Sequence, residues 1–490
     1  MTLEQLLKGV RIQKTNIDLG IEVSVICSDT RKVTPNCVFV CIKGQKYDSH
    51  RAAQSVVAKG AAVLICEKQP EEDLPYVLVD NTRAANTLMQ ANLVGNPQRE
   101  FSFVIGITGT NGKTSTSCMI KAIFDKAGFK TGLLGTMKYL IGDEEYSLGE
   151  GENLLTTPDP ELLFPLLRKM REGGVEVLIM EASSHALKLE KLAAMHFDIA
   201  IFTNLTQDHL DFHKDMDEYL ECKKKLFALS DKLLVNLDDP SYERIVAGCP
   251  CEHKTFSGKG NNSAQYNAKN VRMKGARGVE YELLSLDGIF RIKLGIPGEF
   301  SVSNSLAASA CAMEAGISAI CISGALAEMD NVKGRIDRVD IDAPYSVFID
   351  FAHTPDALEN VIKTVRGFCD KRIITLFGCG GDRDRTKRPL MAEVASRLSD
   401  YVVVTSDNSR SEEKADIIKD ILEGITKPCN EYAVIEDRSE AIRYAMDIAG
   451  EGDVIILAGK GHEEYEIDKN GKHPYSEREV VKEHFYRGKN

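Results

Sequence analysis

At 490 residues the chain is too long for one ordinary hydrophobic core, so two or three domains are expected. Its net charge of −12 excludes a nucleic-acid binder that relies on a basic surface. The opening Met1-Thr2-Leu3-Glu4-Gln5 lacks the basic-then-apolar pattern of a signal peptide, and no apolar run approaches a membrane span, so a cytoplasmic protein with neither membrane nor nucleic-acid partners is expected. The 13 cysteines show no repeated CxxC spacing, which suits free thiols in a reducing compartment. Cys249-Pro250-Cys251-Glu252-His253 is the one local group with metal-ligating character. Without a second ligand pair it reads as surface thiols rather than a zinc site.

Short β-branched runs alternate with polar or glycine-rich turns and helix-like stretches, the pattern of parallel α/β architecture. A first group holds Val38–Ile42, Ala61–Cys66 and Tyr76–Val79. After the turn-like Gly95-Asn96-Pro97, a second begins with Phe103–Ile107 and continues through Val175–Met180, Ile199–Thr203 and Lys232–Asn236. Asp287-Gly288 predicts a hairpin turn between Tyr281–Leu286 and Ile289–Leu294, supplying the positive φ that a tight turn needs. A third group holds Ser346–Asp350, Arg372–Phe377, Tyr401–Thr405 and Asp453–Leu457. Ligands of open parallel sheets bind beyond the carboxyl ends of strands, and the unusual residues of this sequence gather there.

The first such place is Gly109-Thr110-Asn111-Gly112-Lys113-Thr114-Ser115, between the strand Phe103–Ile107 and a helix with Met119, Ile120 and Ile123 on its apolar face. Glycines let backbone amides turn toward an anion, and the helix N-terminus adds its positive end. Lys113 would meet the β- and γ-phosphates of ATP, and Thr114 a magnesium ion. Further on, Glu181 closes Val175–Met180, and Asn204, Asp208, His209 and Asp211 follow Ile199–Thr203. Carboxylates and imidazoles there suit divalent cations, which chemistry that gathers several anionic oxygens needs. In the helix-like stretch 216–227, Met216, Tyr219, Leu220, Leu226 and Phe227 define an apolar face, and Lys223 falls on it. Such a lysine can snorkel, or its neutral amine can add carbon dioxide to give an anionic carbamate able to ligate metal.

The generic phosphate loop has glycine five residues before Gly112. Here that position is Ile107, with glycines at Gly106 and Gly109 instead. In this form the loop resembles that of the Mur ligase family, to which the cell-wall amino-acid ligases and folylpolyglutamate synthetase belong. With Thr156-Thr157-Pro158, Asp350-Phe351-Ala352-His353-Thr354-Pro355-Asp356 and Gly459-Lys460-Gly461-His462-Glu463, the resemblance spans essentially the whole chain. It implies an α/β fold of three domains: a smaller N-terminal domain (1–98) binding the uridine nucleotide, a central phosphate-loop ATPase domain with a parallel sheet (99–333), and a Rossmann-like C-terminal domain (334–490) for the incoming amino acid.

The same resemblance implies that Glu181, His209, carbamylated Lys223, Thr114 and Asp350 hold two magnesium ions, manganese being the alternative. Asn304, Arg335 and His353 join the loop residues at ATP. Ser28, Thr30, Gly44, Asp48 and His50 face the uridine side, and Thr156, Thr157, Ser184 and Lys191 the sugar-peptide. Within the family the match is to the branch adding a third residue to UDP-N-acetylmuramoyl-L-alanyl-D-glutamate, acting as a monomer.

Asp407-Asn408-Ser409-Arg410 follows a strand and would read the incoming amino acid, assisted by Arg383, Gly459 and Glu463. The fork of Arg410 suits a distal carboxylate, which meso-diaminopimelate has and L-lysine lacks. Ser409 stands where the family usually has proline, and Lys191 where it usually has arginine, so an L-lysine-adding ligase or a paralogue with another amino acid is the alternative. More distant alternatives are a folylpolyglutamate synthetase-like ligase, which normally begins close to its phosphate loop, and an ATP-dependent regulatory protein that ligates nothing.

Overall fold

The computed structural model describes all residues except 45–46, 150–153, 330, 427, 429–430 and 488–490. The chain forms two compact units, one of residues 1–106, 129–200 and 225–231, the other of 107–128, 201–224 and 232–490.

The first unit opens with a five-stranded sheet of order Ile12–Thr15, Tyr76–Val79, Val63–Cys66, Val38–Val40, Ile26–Cys27. Its inner strands pair in parallel, and Ile12–Thr15 closes one edge antiparallel. Val63–Cys66 is buried throughout, as a strand covered on both faces must be. One face meets Leu3, Leu6, Ala85 and Met89, and the other Val56 and Ala61. The same unit carries the strand Val177–Glu181, paired in parallel with Thr131–Leu134.

The second unit contains the helix Lys113–Lys126 and a strand run in which Lys232–Asn236 pairs in parallel with Glu252–Ser257, and that strand with Tyr266–Met273. A hairpin follows, but its turn is Leu286-Asp287, one residue earlier than the sequence predicts, because Gly288 pairs with Ser285 and opens the second strand at φ +131°. The C-terminal sheet has the order Asp337–Arg338, Ser346–Asp350, Val454–Ala458, Ile373–Phe377, Tyr401–Val404, Tyr432–Val434. Its four central strands are parallel and nearly wholly buried, so the loops after Asp350, Phe377, Val404 and Ala458 emerge at one end. No helix among the described residues is long and apolar enough to cross a membrane.

Candidate active site

In the second unit the glycine loop is held from below by the 203–206 segment. Asn204 accepts from Thr110 N through its carbonyl and from Asn111 N through its side chain, both at 2.9 Å, and Thr203 Oγ1 donates to Asn111 O at 2.6 Å. This closeness requires glycine. A Cβ on Gly109 (φ +148°) would lie 1.9 Å from Thr203 Oγ1, and one on Gly112 (φ +84°) 2.5 Å from Asn304 Oδ1. Gly109→Ala is therefore expected to destabilise the protein by about 2 kcal/mol or more in urea unfolding, whereas an unshifted midpoint would show that the loop can yield.

Two amines converge on one carbonyl. Lys113 Nζ donates to Gly109 O at 3.0 Å and to Thr110 O at 2.9 Å, and Lys223 Nζ donates to Gly109 O at 2.8 Å. The helix Met216–Ala228 places Lys223 where its periodicity predicts an apolar residue, and the side chain is 1 % exposed. Its amine also lies 4.3 Å from the Tyr219 ring centroid. One carbonyl and one ring face replace only part of the lost hydration, so burial, then the charge of Lys113, hold its pKa well below the usual lysine value.

Asp208 is the anionic centre beside this pair. His209 Nε2 lies 3.4 Å from its carboxylate, Lys387 Nζ 3.5 Å and His353 Nε2 3.9 Å. Burial alone would raise the Asp208 pKa, but His209, Lys387 and His353 hold it far below the usual range. Although 40 % of the His353 side chain is exposed, enclosure of the rest and then Lys387 depress its pKa to about 4, keeping the ring neutral at pH 7. In Lys387→Met the His353 titration is expected to move upward when followed by NMR. A titration that does not move would show that Lys387 exerts no field there.

Residues of the C-terminal segment reach the loop. Arg335 Nη2 donates to Thr114 Oγ1 at 3.4 Å while its guanidinium stacks over Phe351, and Asp356 accepts from Asn111 Nδ2 at 2.9 Å. Asp350 accepts the Ile336 N–H at 2.7 Å, and burial pushes its pKa up to about 6.

A second cluster forms where the strands Tyr401–Val404 and Val454–Ala458 end. Asn408 Nδ2 donates to Glu463 Oε2 at 2.7 Å, and Asn408 Oδ1 accepts from Lys460 Nζ at 3.1 Å. Arg410 and Arg383 both flank Gly380, where an added Cβ would lie 2.9 Å from Arg410 Nη1 and 3.8 Å from Arg383 Cγ. Burial, then the charge of Arg383, lower the Arg410 pKa, so this pair of cations suits an anion. Burial would raise the Asp407 pKa, but Lys460 and Arg438 keep it ionised. The Glu463 pKa rises through burial, then through Asp407. Gly459 (φ +118°) must be glycine, since a Cβ would meet Asp407 Oδ2 at 2.5 Å. Ser409 does not leave the turn loose. Its carbonyl accepts Glu412 N, Asn408 O accepts Gly381 N, and Arg410, at φ +51°, donates its N–H to Ile467 O.

In the first unit, Glu181 is 1 % exposed and accepts from Thr136 Oγ1 at 2.8 Å. Thr136 Oγ1 meets Thr156 Oγ1 at 3.0 Å, Thr157 Oγ1 donates to the Glu181 carbonyl at 2.8 Å, and Ser184 is buried at the start of the helix Ser184–Lys188. A cavity of about 530 Å³ is lined by Ser28, Asp29, Lys32, Arg83, Asp159 and Lys191, the last paired with Asp159 at 2.7 Å. Asp48 and His50 instead hold each other at 2.7 Å, and His50 Nε2 accepts Glu67 N, so this pair shapes the backbone. Gly44 donates its N–H to Tyr47 O, and the Thr30 carbonyl accepts Lys59 Nζ. Cys249 and Cys251 lie with their sulfurs 3.4 Å apart, and among the described residues no three thiol, imidazole or carboxylate groups form a metal cage.

Sequence reading missed Lys387, Lys460 and Arg83. Lys387 sits in the run Arg383-Asp384-Arg385-Thr386-Lys387-Arg388, which reads as a solvated charged stretch, yet Lys387 and Arg388 are buried. Lys460 lies inside a quoted motif whose glycines and glutamate drew the attention. Nothing local marks Arg83.

A glycine phosphate loop with a buried, charge-depressed lysine beside it, joined to a parallel sheet whose loops carry a paired-arginine cluster, defines an α/β nucleotide-dependent ligase. Residues 107–312 match the Mur ligase middle domain, and residues 334–461 the Mur ligase glutamate ligase domain. The UDP-N-acetylmuramoyl-L-alanyl-D-glutamate–2,6-diaminopimelate ligase of Clostridium botulinum is 43 % identical over 94 % of this chain and 95 % of its own, and that of Clostridium tetani 40 % identical over 99 % of each. A solved ligase of the same description is 27 % identical with a TM-score of 0.68, covering 100 % of this chain and 99 % of its own. A folylpolyglutamate synthase of Mycobacterium tuberculosis, 17 % identical with a TM-score of 0.64, covers 77 % of this chain and 93 % of its own, and shares the fold. The chain belongs to the Mur ligase family.

Proposed function

We propose that this protein is an ATP-dependent ligase joining meso-2,6-diaminopimelate to the D-glutamyl carboxylate of UDP-N-acetylmuramoyl-L-alanyl-D-glutamate, a step of peptidoglycan precursor synthesis. Residues 1–98 serve the uridine nucleotide, 99–333 ATP, and 334–490 the amino acid. The carrying observation is the cluster after Val404 and Ala458, where Arg410 lies within the field of Arg383 and of the carboxylates of Asp407 and Glu463. An amino acid with a carboxylate and an ammonium at its distal centre complements both. With L-lysine the paired arginines would lack their anion.

In this reading the γ-phosphate passes to the D-glutamyl carboxylate, and the amine attacks the acyl phosphate. The tetrahedral adduct then collapses to amide and inorganic phosphate. Lys113 and the loop amides hold the phosphates, with Asn304, Arg335 and His353 at the nucleotide. Lys32, Arg83 and Lys191 line the cavity in the first unit beside Asp29, Asp159 and Glu161, and supply it with cations for a nucleotide diphosphate. Magnesium ions would neutralise the oxygens gathered at transfer. By their chemistry the Thr114 hydroxyl, the Asp350 carboxylate, the His209 imidazole and, as carbamate, Lys223 suit such ions in the second unit, as the Glu181 carboxylate does in the first.

The test is phosphate release with the muramoyl dipeptide, comparing meso-diaminopimelate, L-lysine and no amino acid. Release with diaminopimelate alone is expected. Equal release with L-lysine would overturn the amino-acid assignment, and release independent of both substrates would favour the regulatory alternative. Folylpolyglutamate synthetase is disfavoured because its likeness leaves about a quarter of the chain uncovered, while the diaminopimelate ligases span nearly all of it.

A further inference from the structure

The strands Tyr401–Val404 and Val454–Ala458 are not neighbours, because Ile373–Phe377 lies between them. Yet Ser406-Asp407 and Gly459, just beyond the strand ends at Val404 and Ala458, must stand at a set separation, since one loop carries Asn408 and Arg410 and the other Lys460 and Glu463. Phe377 pairs with both Val404 and Ala458 and sets the distance up to the strand ends, but beyond them side chains must hold the two loops.

Asn408 bonds Lys460 and Glu463 across it, and Arg438 alone among these side chains ties the two backbones together through their carbonyls. Arg438, the first residue of the helix Arg438–Asp447, is 2 % exposed. Its Nη1 donates to Ser406 O at 3.1 Å, its Nη2 to Ala458 O at 2.8 Å and its Nε to Glu477 Oε1 at 2.9 Å. Glu477, the first residue of the C-terminal helix Glu477–Arg487, is 3 % exposed. A guanidinium is planar with donors at fixed angles, so two carbonyls bound to its two terminal nitrogens are held at one distance. The carboxylate of Glu477 neutralises the buried cation and fixes the plane of the fork. Buried ion pairs add little net stability, so geometry is the better account of this one.

We propose that Arg438 and Glu477 are positioning residues of the amino-acid site, setting the gap between the 407–410 and 459–463 loops and thereby discrimination between diaminopimelate and lysine. The proposal rests on the reading of Arg410 and Glu463 as amino-acid contacts. It also makes the helix Glu477–Arg487, which carries no site motif of its own, a structural part of that site.

The experiment uses the full chain with Arg438→Lys, which keeps the charge but cannot reach both carbonyls and Glu477, and Glu477→Gln, which keeps the shape but not the charge. KM for diaminopimelate should rise about tenfold or more in Arg438→Lys, since misplacement by about 1 Å is that costly. KM for ATP and for the UDP substrate should stay within about twofold, and preference over L-lysine should fall. Glu477→Gln should show the same split, more weakly. A purely structural role would lower the thermal midpoint and the active fraction with every KM unchanged, and that result in either soluble variant overturns the proposal. Should Arg438→Lys fail to fold, Glu477→Gln decides alone. Arg410→Ala, run in parallel, separates the two levels: if its KM for diaminopimelate is unchanged, the underlying site assignment has failed rather than the positioning role.

Discussion

Lys223→Ala is expected to lose about a hundredfold to a thousandfold in the rate of amino-acid-dependent phosphate release, and to regain part of it when acetate or another short-chain carboxylic acid is added. The reasoning starts from the carbonyl of Gly109, where Lys113 and Lys223 meet. Two ammonium groups on one acceptor repel, and burial already drives Lys223 toward its neutral form. A neutral amine can add carbon dioxide, whereas an ammonium cannot. The carbamate exchanges repulsion for attraction toward Lys113 and offers oxygen to a hard cation. Alanine leaves space in which a free carboxylate can stand in for the lost group. Intact-mass measurement of the wild-type protein in bicarbonate should show the added mass of one carbon dioxide, absent in the mutant. Full activity of Lys223→Ala without any added acid would remove the carbamate from the mechanism.

The helix carrying Lys223 was legible because its apolar residues repeat at helical spacing over 216–227, and a single charge on that face stands out. Strands buried on both faces were equally plain, with Tyr76–Val79 and Ser346–Asp350 coinciding with their predicted limits. What stayed hidden had mixed polarity. Glu252–Ser257 begins in exposed polar residues, and the alternation of Tyr266–Met273 slips at Lys269-Asn270 and leaves Val271 and Met273 exposed, so neither shows an unbroken strand pattern. Thr131–Leu134 is four residues long and contains a glycine. The hairpin turn slipped by one residue because Gly288 serves as the opening strand residue rather than as a turn centre.

At the site, residues in short motifs could be found by their neighbours in sequence. Lys387 and Arg438 act through partners far away in the chain, Asp208 for one and Ser406, Ala458 and Glu477 for the other. Local pattern carries no trace of such pairings.

Arg410→Ala should cost about 2–5 kcal/mol in transition-state binding of meso-diaminopimelate, a loss of about thirtyfold to several thousandfold in kcat/KM, because it removes one member of a partly buried charge pair facing an anion. The sign follows from its surroundings. Arg410 and Arg383 flank Gly380 and raise each other's cost, a cost that a bound carboxylate relieves. Arg410→Lys keeps a point charge but loses the planar fork, so it should fall between wild type and alanine. L-lysine offers no distal carboxylate, and its low turnover should change little in either variant, which narrows the preference between the two amino acids. Glu463→Gln should act on the ammonium of the same distal centre, weakening both amino acids, since L-lysine too presents an ammonium there. If Arg410→Ala depressed diaminopimelate and lysine equally, the arginine side chain would be holding its loop, through Gly381 O, rather than reading the carboxylate.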